Sequence, residues 1–138
     1  MEVMDQYRLM IDVALWMLIW LVQFIIYPSF LHTDQKPFKA WHNSYTGRIT
    51  IFVAPLMFSQ TGIYTWQSFS RGRWDDWAGL ALVTITWLCT FVLSVPCHDR
   101  MQREGYSQDV IQRLVTTNWP RTAAWNLVLL VDLWVFFT

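Results

Sequence analysis

Charged side chains are scarce in this chain. They make up 14% of its 138 residues, and the formal net charge is zero, whereas soluble domains carry about 25% charged residues. The chain also has no basic tail or patch, which nucleic-acid binding requires. The composition therefore argues against a soluble domain and excludes nucleic acid as a partner.

Motifs for metals, cofactors and disulfides are also missing. The sequence has no HxxxH, CxxC, carboxylate-rich or glycine-rich phosphate motif, so no metal site is predicted and the cofactor stays unknown. Cys97, His98 and Met101 would offer soft ligands to copper, and two histidines on facing segments could hold haem. Cys89 and Cys97 lie about two helical turns apart, a poor geometry for a disulfide. We expect two buried thiols.

Long apolar runs are the dominant positive feature. Hydrophobic residues make up 54% of the chain, and four runs approach the ~20 residues that cross a bilayer as a helix. A buried soluble helix could explain one such run, but four in series leave too little polar surface for a soluble monomer. We predict one domain, 1–138: an all-α, multi-pass integral membrane protein, an antiparallel four-helix transmembrane bundle with a short interfacial helix. The predicted spans are 9–27, 49–66, 77–95 and 119–137.

Four spans place both termini on one side of the membrane and the two long loops on the other. The acidic start of the chain and the full-length first run predict no cleavable signal peptide. Cations are more numerous on the face of the long loops, which favours a cytoplasmic position for that face and the opposite side for the termini. The cations of the long-loop face are Lys36, Lys39, Arg48, Arg100, Arg103, Arg113 and Arg121, and those of the other face are Arg8, Arg71 and Arg73.

The loops between the runs carry helical signals of their own. Aromatic residues at spacings of three and four predict that the second helix begins outside the membrane near Lys36, with Pro37 in its first turn. The short loop, 67–76, is expected to be a tight polar turn. The second long loop is expected to begin at Pro96 and to contain a helix capped by Ser107. Pro120 fits the first turn of the last span.

Each run has one stripe of polar and aromatic residues at helical spacing. On the first run the stripe is Asp12, Trp16, Trp20, Gln23 and Tyr27. Because polar groups facing lipid are costly, the stripes should point into the bundle. Two interpretations stay open: the polar groups satisfy one another between helices, or they surround an aromatic-lined pocket. The intramembrane acids Asp12 and Asp132 are candidates for a proton relay, or for capping and hydrogen bonding between helices.

The candidate site lies on the face of the two long loops. His42, Arg48, His98 and Arg121 are expected to converge there within about two side-chain lengths, beneath Trp41 and Trp119. Histidine acts as a base near neutral pH, so His42 and His98 are the candidate catalytic residues. The candidate ligand-binding residues are Trp41, Tyr45, Arg48, Trp87, Arg121 and Trp125.

Several short motifs resemble those of the anthrone oxygenase-like family. The first span ends in Pro28, Pro55-Leu56 lies in the second, Val95-Pro96 and a polar run end the third, and a tryptophan with Arg121-Thr122 opens the fourth. The resemblance covers nearly the whole chain in architecture. It implies a small four-helix membrane protein, and some members are associated with oxidation of anthrones to anthraquinones without an obvious metal or organic cofactor.

We therefore expect an integral membrane protein that binds a flat hydrophobic molecule at a His-, Arg- and Trp-lined interfacial site. The molecule would be a polyketide, quinone or isoprenoid. Whether the protein also oxidises it stays open. The alternative is a non-catalytic accessory or structural subunit of a larger membrane complex. Expected partners are membrane lipid and the hydrophobic small molecule, together with partner membrane subunits or further copies of the chain. Whether the protein is an enzyme stays open.

Overall fold

The computed structural model describes residues 3–138, and every regular element in that range is helical. Four long helices and one short helix follow one another along the chain, and no strand occurs in the described range. The prediction of an all-helical fold built on four long helices is confirmed. The helices are α1 (Val3–His32), α2 (Phe38–Ser70), α3 (Trp74–Glu104), the short α4 (Gln108–Thr117) and α5 (Trp119–Phe137).

The long helices form an antiparallel ring in which α1 contacts α2, α2 contacts α3, α3 contacts α5, and α5 closes back on α1. Asp5 near the start of α1 and Thr138 at the chain end line one cavity. We call this the termini end of the bundle. The opposite end contains all three histidines and α4, and we call it the histidine end.

Three prolines lie within long helices: Pro28 in α1, Pro55 in α2 and Pro96 in α3. The expectation that a loop begins at Pro96 is wrong, because α3 continues through it to Glu104. Likewise α1 continues past Pro28 to His32. A π turn precedes Pro28 and Pro96, at Val22–Ile26 in α1 and at Thr90–Ser94 in α3, whereas α2 is regular around Pro55. A proline ring crowds the preceding turn of a regular helix, and the wider π turn gives it room.

The connections are short and follow local signals. Only residues 71–73 join α2 to α3, shorter than the predicted turn, and Gly72 adopts a left-handed φ of 66° there. The Ser107 hydroxyl caps α4 by accepting a hydrogen bond from the backbone N–H of Val110 at 3.4 Å, as expected. Pro120 lies in the first turn of α5, also as expected.

The surface of the bundle is unusually apolar. Large hydrophobic side chains are exposed along all four long helices, including Met10, Phe52, Phe91 and Leu130. Two helices, α1 and α3, are long and apolar enough to cross a membrane, with mean hydropathies of 2.3 and 2.1. The other two predicted spans, in α2 and α5, do not meet the same requirement of length and mean hydropathy.

Candidate functional site

A cavity of about 400 Å³ opens at the histidine end, between α1, α2, α3 and α5. Six aliphatic side chains, Trp125 and twelve polar side chains line it, and most of the lining surface is apolar. The aliphatic residues include Leu18, Ile19, Val22, Ile49, Val53 and Val95, and the polar residues include Tyr27, His42, Tyr45, Thr90, His98 and Arg121. A largely apolar lining surface on which polar groups converge is common in small-molecule sites.

The two π turns position two neighbouring residues of the cavity lining, Tyr27 and His98. Tyr27 follows the π turn of α1 directly, and His98 lies one turn beyond the π turn of α3. A π turn accommodates one extra residue, so it rotates the following side chains by roughly 100° relative to a regular helix. Both side chains line the cavity. π turns often occur at functional sites for this reason.

One hydrogen-bonded chain joins five of the polar side chains that line the cavity. Arg121 Nη2 donates to the Tyr27 hydroxyl at 3.1 Å. The Tyr27 hydroxyl lies 3.2 Å from His98 Nε2, and His98 Nδ1 lies 2.9 Å from His42 Nε2. His42 Nδ1 then lies 3.1 Å from Gln102 Oε1. We call this arrangement the Arg121–Gln102 chain; it links α5, α1, α3 and α2.

The guanidinium of Arg121 is held in place on two further sides. Its Nη1 donates to the Thr90 hydroxyl at 3.3 Å, and its central carbon lies 5.7 Å from the ring centroid of Trp125. The residue is buried, and its Nε has no hydrogen-bond partner among the described residues. An unpaired donor atom at such a buried position is costly.

Aromatic rings enclose the histidine pair from the long-loop side. The His42 ring stacks on Phe38 at 5.6 Å and on His98 at 5.2 Å. Phe30 lies at the centre of the cluster, edge-on to both histidines and to Tyr45. Burial lowers the pKa of His42, an effect that its hydrogen bond to Gln102 partly opposes. His42 is therefore neutral near pH 7.

Tyr45 lies on the cavity wall as a neutral phenol. Burial raises its pKa above the ordinary value, and the proximity of Tyr27 adds to this effect while the charge of Arg121 opposes it. Its ring stacks on Trp41, with centroids 5.8 Å apart. Tyr45 thus presents a hydroxyl and an aromatic surface to the cavity.

The structure brings together five of the eight residues predicted to be catalytic or ligand-binding: His42, Tyr45, His98, Arg121 and Trp125 all line the cavity. Arg48 does not join them, which corrects the expected convergence of four residues. It is exposed and borders a shallow groove on the outer face of α2 together with Trp41. Arg48 follows His42 by six residues, which is about 240° around a helix, so the two cannot point to the same side.

Trp87 and Trp119 also lie apart from the cavity. Trp87 Nε1 donates to the Thr61 hydroxyl at 2.8 Å, and the ring stacks on Phe91. Trp119 packs edge-on against Trp20 with centroids 6.1 Å apart, on another face of the bundle.

Two members of the Arg121–Gln102 chain are absent from the predicted site residues. Tyr27 was recognised only as part of a polar stripe, and Gln102 was not singled out. Gln102 follows His98 by four residues, so it lies one turn further on the same face of α3. That spacing was the available signal.

The intramembrane acids belong to a separate network at the termini end. Asp12 accepts hydrogen bonds from Gln60 at 2.6 Å and from the Tyr64 hydroxyl at 2.7 Å. Arg8 is buried and lies 2.6 Å from Asp132 and 2.7 Å from Asp76. Such pairing satisfies the polar groups that α1 and α5 carry inside the bundle.

The chain's metal and thiol chemistry is sparse. The described residues contain no group of three or more His, Cys, Asp or Glu placed to hold a metal ion. Cys89 and Cys97 are free and buried, as predicted.

Comparisons with models of protein families, with curated proteins and with solved structures find no match. The resemblance to the anthrone oxygenase-like family therefore stays a prediction.

Proposed function

We propose that this chain is an integral membrane protein that binds a flat, oxygen-bearing hydrophobic molecule in the cavity at the histidine end. The observation that carries the proposal is the Arg121–Gln102 chain on the wall of a cavity of about 400 Å³ whose lining surface is mostly apolar. That volume is within the range of ligand pockets, roughly 300–1,000 Å³.

The distribution of polar and apolar side chains supports four membrane spans. On α2, Phe58 is exposed whereas Gln60 is buried, and on α5, Leu130 is exposed whereas Asp132 is buried. Both buried polar groups have partners inside the bundle. Helices whose polar residues face inward can cross a bilayer despite modest mean hydropathy. By the cation bias of the loops, the histidine end would be cytoplasmic.

The lining of the cavity favours a flat ligand with a carbonyl or phenol oxygen. Trp125 and Tyr45 supply aromatic surfaces, while Arg121 supplies a guanidinium on the cavity wall. A polyketide or quinone meets both requirements, whereas a plain isoprenoid offers no oxygen to Arg121. His42, neutral near pH 7, suits a base. Oxidation of the bound molecule is the extension that the anthrone oxygenase-like resemblance suggests.

A matched pair of ligands tests the proposal. The purified protein in detergent is equilibrated with anthraquinone or with anthracene, which has the same three fused rings and no oxygen. We expect at least tenfold tighter binding of anthraquinone, because its carbonyl oxygen accepts a hydrogen bond from Arg121 and anthracene has no oxygen. Equal binding of the two compounds would show that the cavity recognises apolar surface alone. Mass spectrometry of an organic extract of the natively purified protein identifies the resident molecule.

The groove outside the bundle favours a second candidate, an accessory subunit of a larger membrane complex. Trp41, Arg48 and Phe52 border this groove, and all three are exposed. Exposed aromatic and arginine side chains are enriched in protein interfaces. Native electrophoresis of the mildly solubilised protein separates the candidates: a stoichiometric partner that dissociates in Trp41→Ala supports the accessory role, and a single species supports the binding protein alone.

A further inference from the structure

We infer that Tyr27 is the residue that takes a proton from the bound molecule, while His98 and His42 carry the proton of Tyr27 towards Gln102. The inference rests on the proposed function, because it assigns a role to residues that line the same cavity. It names Tyr27 as the catalytic residue and the two histidines as a relay, whereas the sequence pointed to the histidines as the catalytic residues.

The direction of the hydrogen bonds follows from Arg121. An arginine can only donate, so the Tyr27 oxygen accepts from Arg121 Nη2 at 3.1 Å. The only other hydrogen-bond partner of the Tyr27 hydroxyl among the described residues is His98 Nε2, at 3.2 Å. Tyr27 must therefore donate its own proton to His98 Nε2.

That donation determines the proton positions on both histidines. With Nε2 of His98 accepting, the neutral ring carries its proton on Nδ1 and donates to His42 Nε2 at 2.9 Å. His42 in turn carries its proton on Nδ1 and donates to Gln102 Oε1 at 3.1 Å. The opposite direction would leave the buried Tyr27 proton without an acceptor, which costs about 1–3 kcal/mol. Each ring therefore has one defined tautomer.

At its cavity end, the Arg121–Gln102 chain has groups that suit an acidic ligand. Tyr27 is buried, lines the cavity and retains one acceptor lone pair beyond its bonds to Arg121 and His98. Arg121 lines the cavity beside it and brings a positive charge. The two groups together suit a molecule that loses a proton and becomes an oxyanion: a phenol, or a ketone with a C–H next to its carbonyl.

Every proton is accounted for in a transfer along the Arg121–Gln102 chain. The ligand gives its proton to the Tyr27 oxygen as the Tyr27 proton moves to His98 Nε2. The Nδ1 proton of His98 moves to His42 Nε2, so His42 becomes an imidazolium and Tyr27 and His98 stay neutral. The ligand is left as an oxyanion beside Arg121. No electron is transferred, so the step needs no oxidant, and an oxidation of the anion would follow it.

The first experiment reads the tautomers without any ligand. Histidine is labelled with a nitrogen isotope in a His32→Gln background, which leaves the signals of His42 and His98 for nitrogen NMR in detergent. We expect both rings to be protonated on Nδ1, although free histidine prefers the Nε2 proton. Tyr27→Phe should release His98 from this tautomer, while Tyr7→Phe, at an exposed tyrosine, should not. A proton on Nε2 of either ring in the Tyr27 protein would overturn the inference.

The second experiment uses alizarin, a hydroxyanthraquinone whose absorption band moves to longer wavelength on ionisation. At a pH where free alizarin is mostly neutral, we expect the protein with Tyr27 to bind it as the anion. Tyr27→Phe should bind it with the neutral band, and Tyr7→Phe should behave as the unchanged protein. An anionic band that persists in Tyr27→Phe would overturn the role of Tyr27 and leave the binding function standing. Absence of binding, despite the expected tautomers, would count against the proposed function and so against the role that rests on it.

Discussion

His42 Nε2 and His98 Nδ1 lie 2.9 Å apart although 56 positions separate the two residues in the chain. This contact ties α2 to α3 at the histidine end and completes one wall of the cavity. The same two rings stack at 5.2 Å, so the pair is held both by a hydrogen bond and by ring contact. Four predictions follow from this end of the bundle and from the opposite one.

The stability of the protein should fall as the medium becomes acidic, and His42 should account for part of the fall. Burial lowers the pKa of His42 from its ordinary value of 6.5, so the unfolded chain takes up this proton at a higher pH than the folded one. The folded state is therefore favoured above about pH 6.5, and it loses stability as the pH falls from there towards the lower folded pKa.

The measurement is thermal unfolding in detergent between about pH 8 and about pH 5. His42→Gln should show a weaker dependence of the unfolding temperature on pH than the unchanged protein, because glutamine does not titrate. His32→Gln, which leaves the Arg121–Gln102 chain intact, is the control and should retain the original dependence. Identical curves for His42→Gln and the unchanged protein would contradict the prediction.

Replacing Arg121 should weaken ligand binding, and replacing Arg48 should not. Arg121→Met removes the guanidinium that lines the cavity, whereas Arg48→Met changes an exposed side chain on the outer face of α2. Loss of a charged hydrogen bond in a partly dry site costs about 1.5–3 kcal/mol, roughly ten- to a hundredfold in affinity. Equilibrium binding of anthraquinone to the two variants measures the difference. Equal losses of affinity in the two variants would show that Arg121 does not contact the ligand.

Adding a methyl group at Gly79 should destabilise the bundle, whereas adding one at Gly62 should not. A Cβ at Gly79 would lie 2.0 Å from a ring carbon of Tyr64, and that ring is fully buried and bound to Asp12. We expect Gly79→Ala to lower the free energy of unfolding by about 1–3 kcal/mol.

Gly62→Ala is the matched control for this substitution. It lies in α2 with no atom within 4 Å of the added carbon, so replacing a helical glycine should stabilise the protein by about 0.5–1 kcal/mol. Unfolding in a denaturing detergent gives both values. A Gly79→Ala protein as stable as Gly62→Ala would show that α2 and α3 are not packed this closely.

Removing the charge of Arg8 should be far more costly than removing that of Arg73. Arg8 is buried among Asp75, Asp76 and Asp132. Asp75 and Asp76 keep Arg73 and Arg71 as partners, but Arg8→Met leaves the buried Asp132 without a cation among the described residues, at about 3–5 kcal/mol. Arg73 also pairs with Asp75, but its side chain is 47% exposed, and exposed pairs contribute about 0–1 kcal/mol. Unfolding midpoints of Arg8→Met and Arg73→Met in one detergent provide the comparison, and similar losses would contradict it.

The positions of the helices could be predicted from the sequence because the sequence signals that define a helix are local. The apolar runs located the four long helices, Ser107 marked the start of α4, and the stripe from Asp12 to Tyr27 lies largely on the buried face of α1. The ends of α1 and α3 were not readable in the same way. Pro28 and Pro96 normally indicate that a helix stops, and here a π turn before each one allows the helix to continue.

The sequence by itself determined that the chain is helical, which residues share a face of each helix, and that polar groups collect at two levels of the bundle. Periodicity gives the angle of a residue about its own helix axis. It does not give the rotation and axial position of one helix against the next, which depend on how all the side chains between them pack. Only the tertiary structure therefore decided that His42 meets His98, that Tyr27 and Gln102 complete their chain, and that Arg48 points away from it.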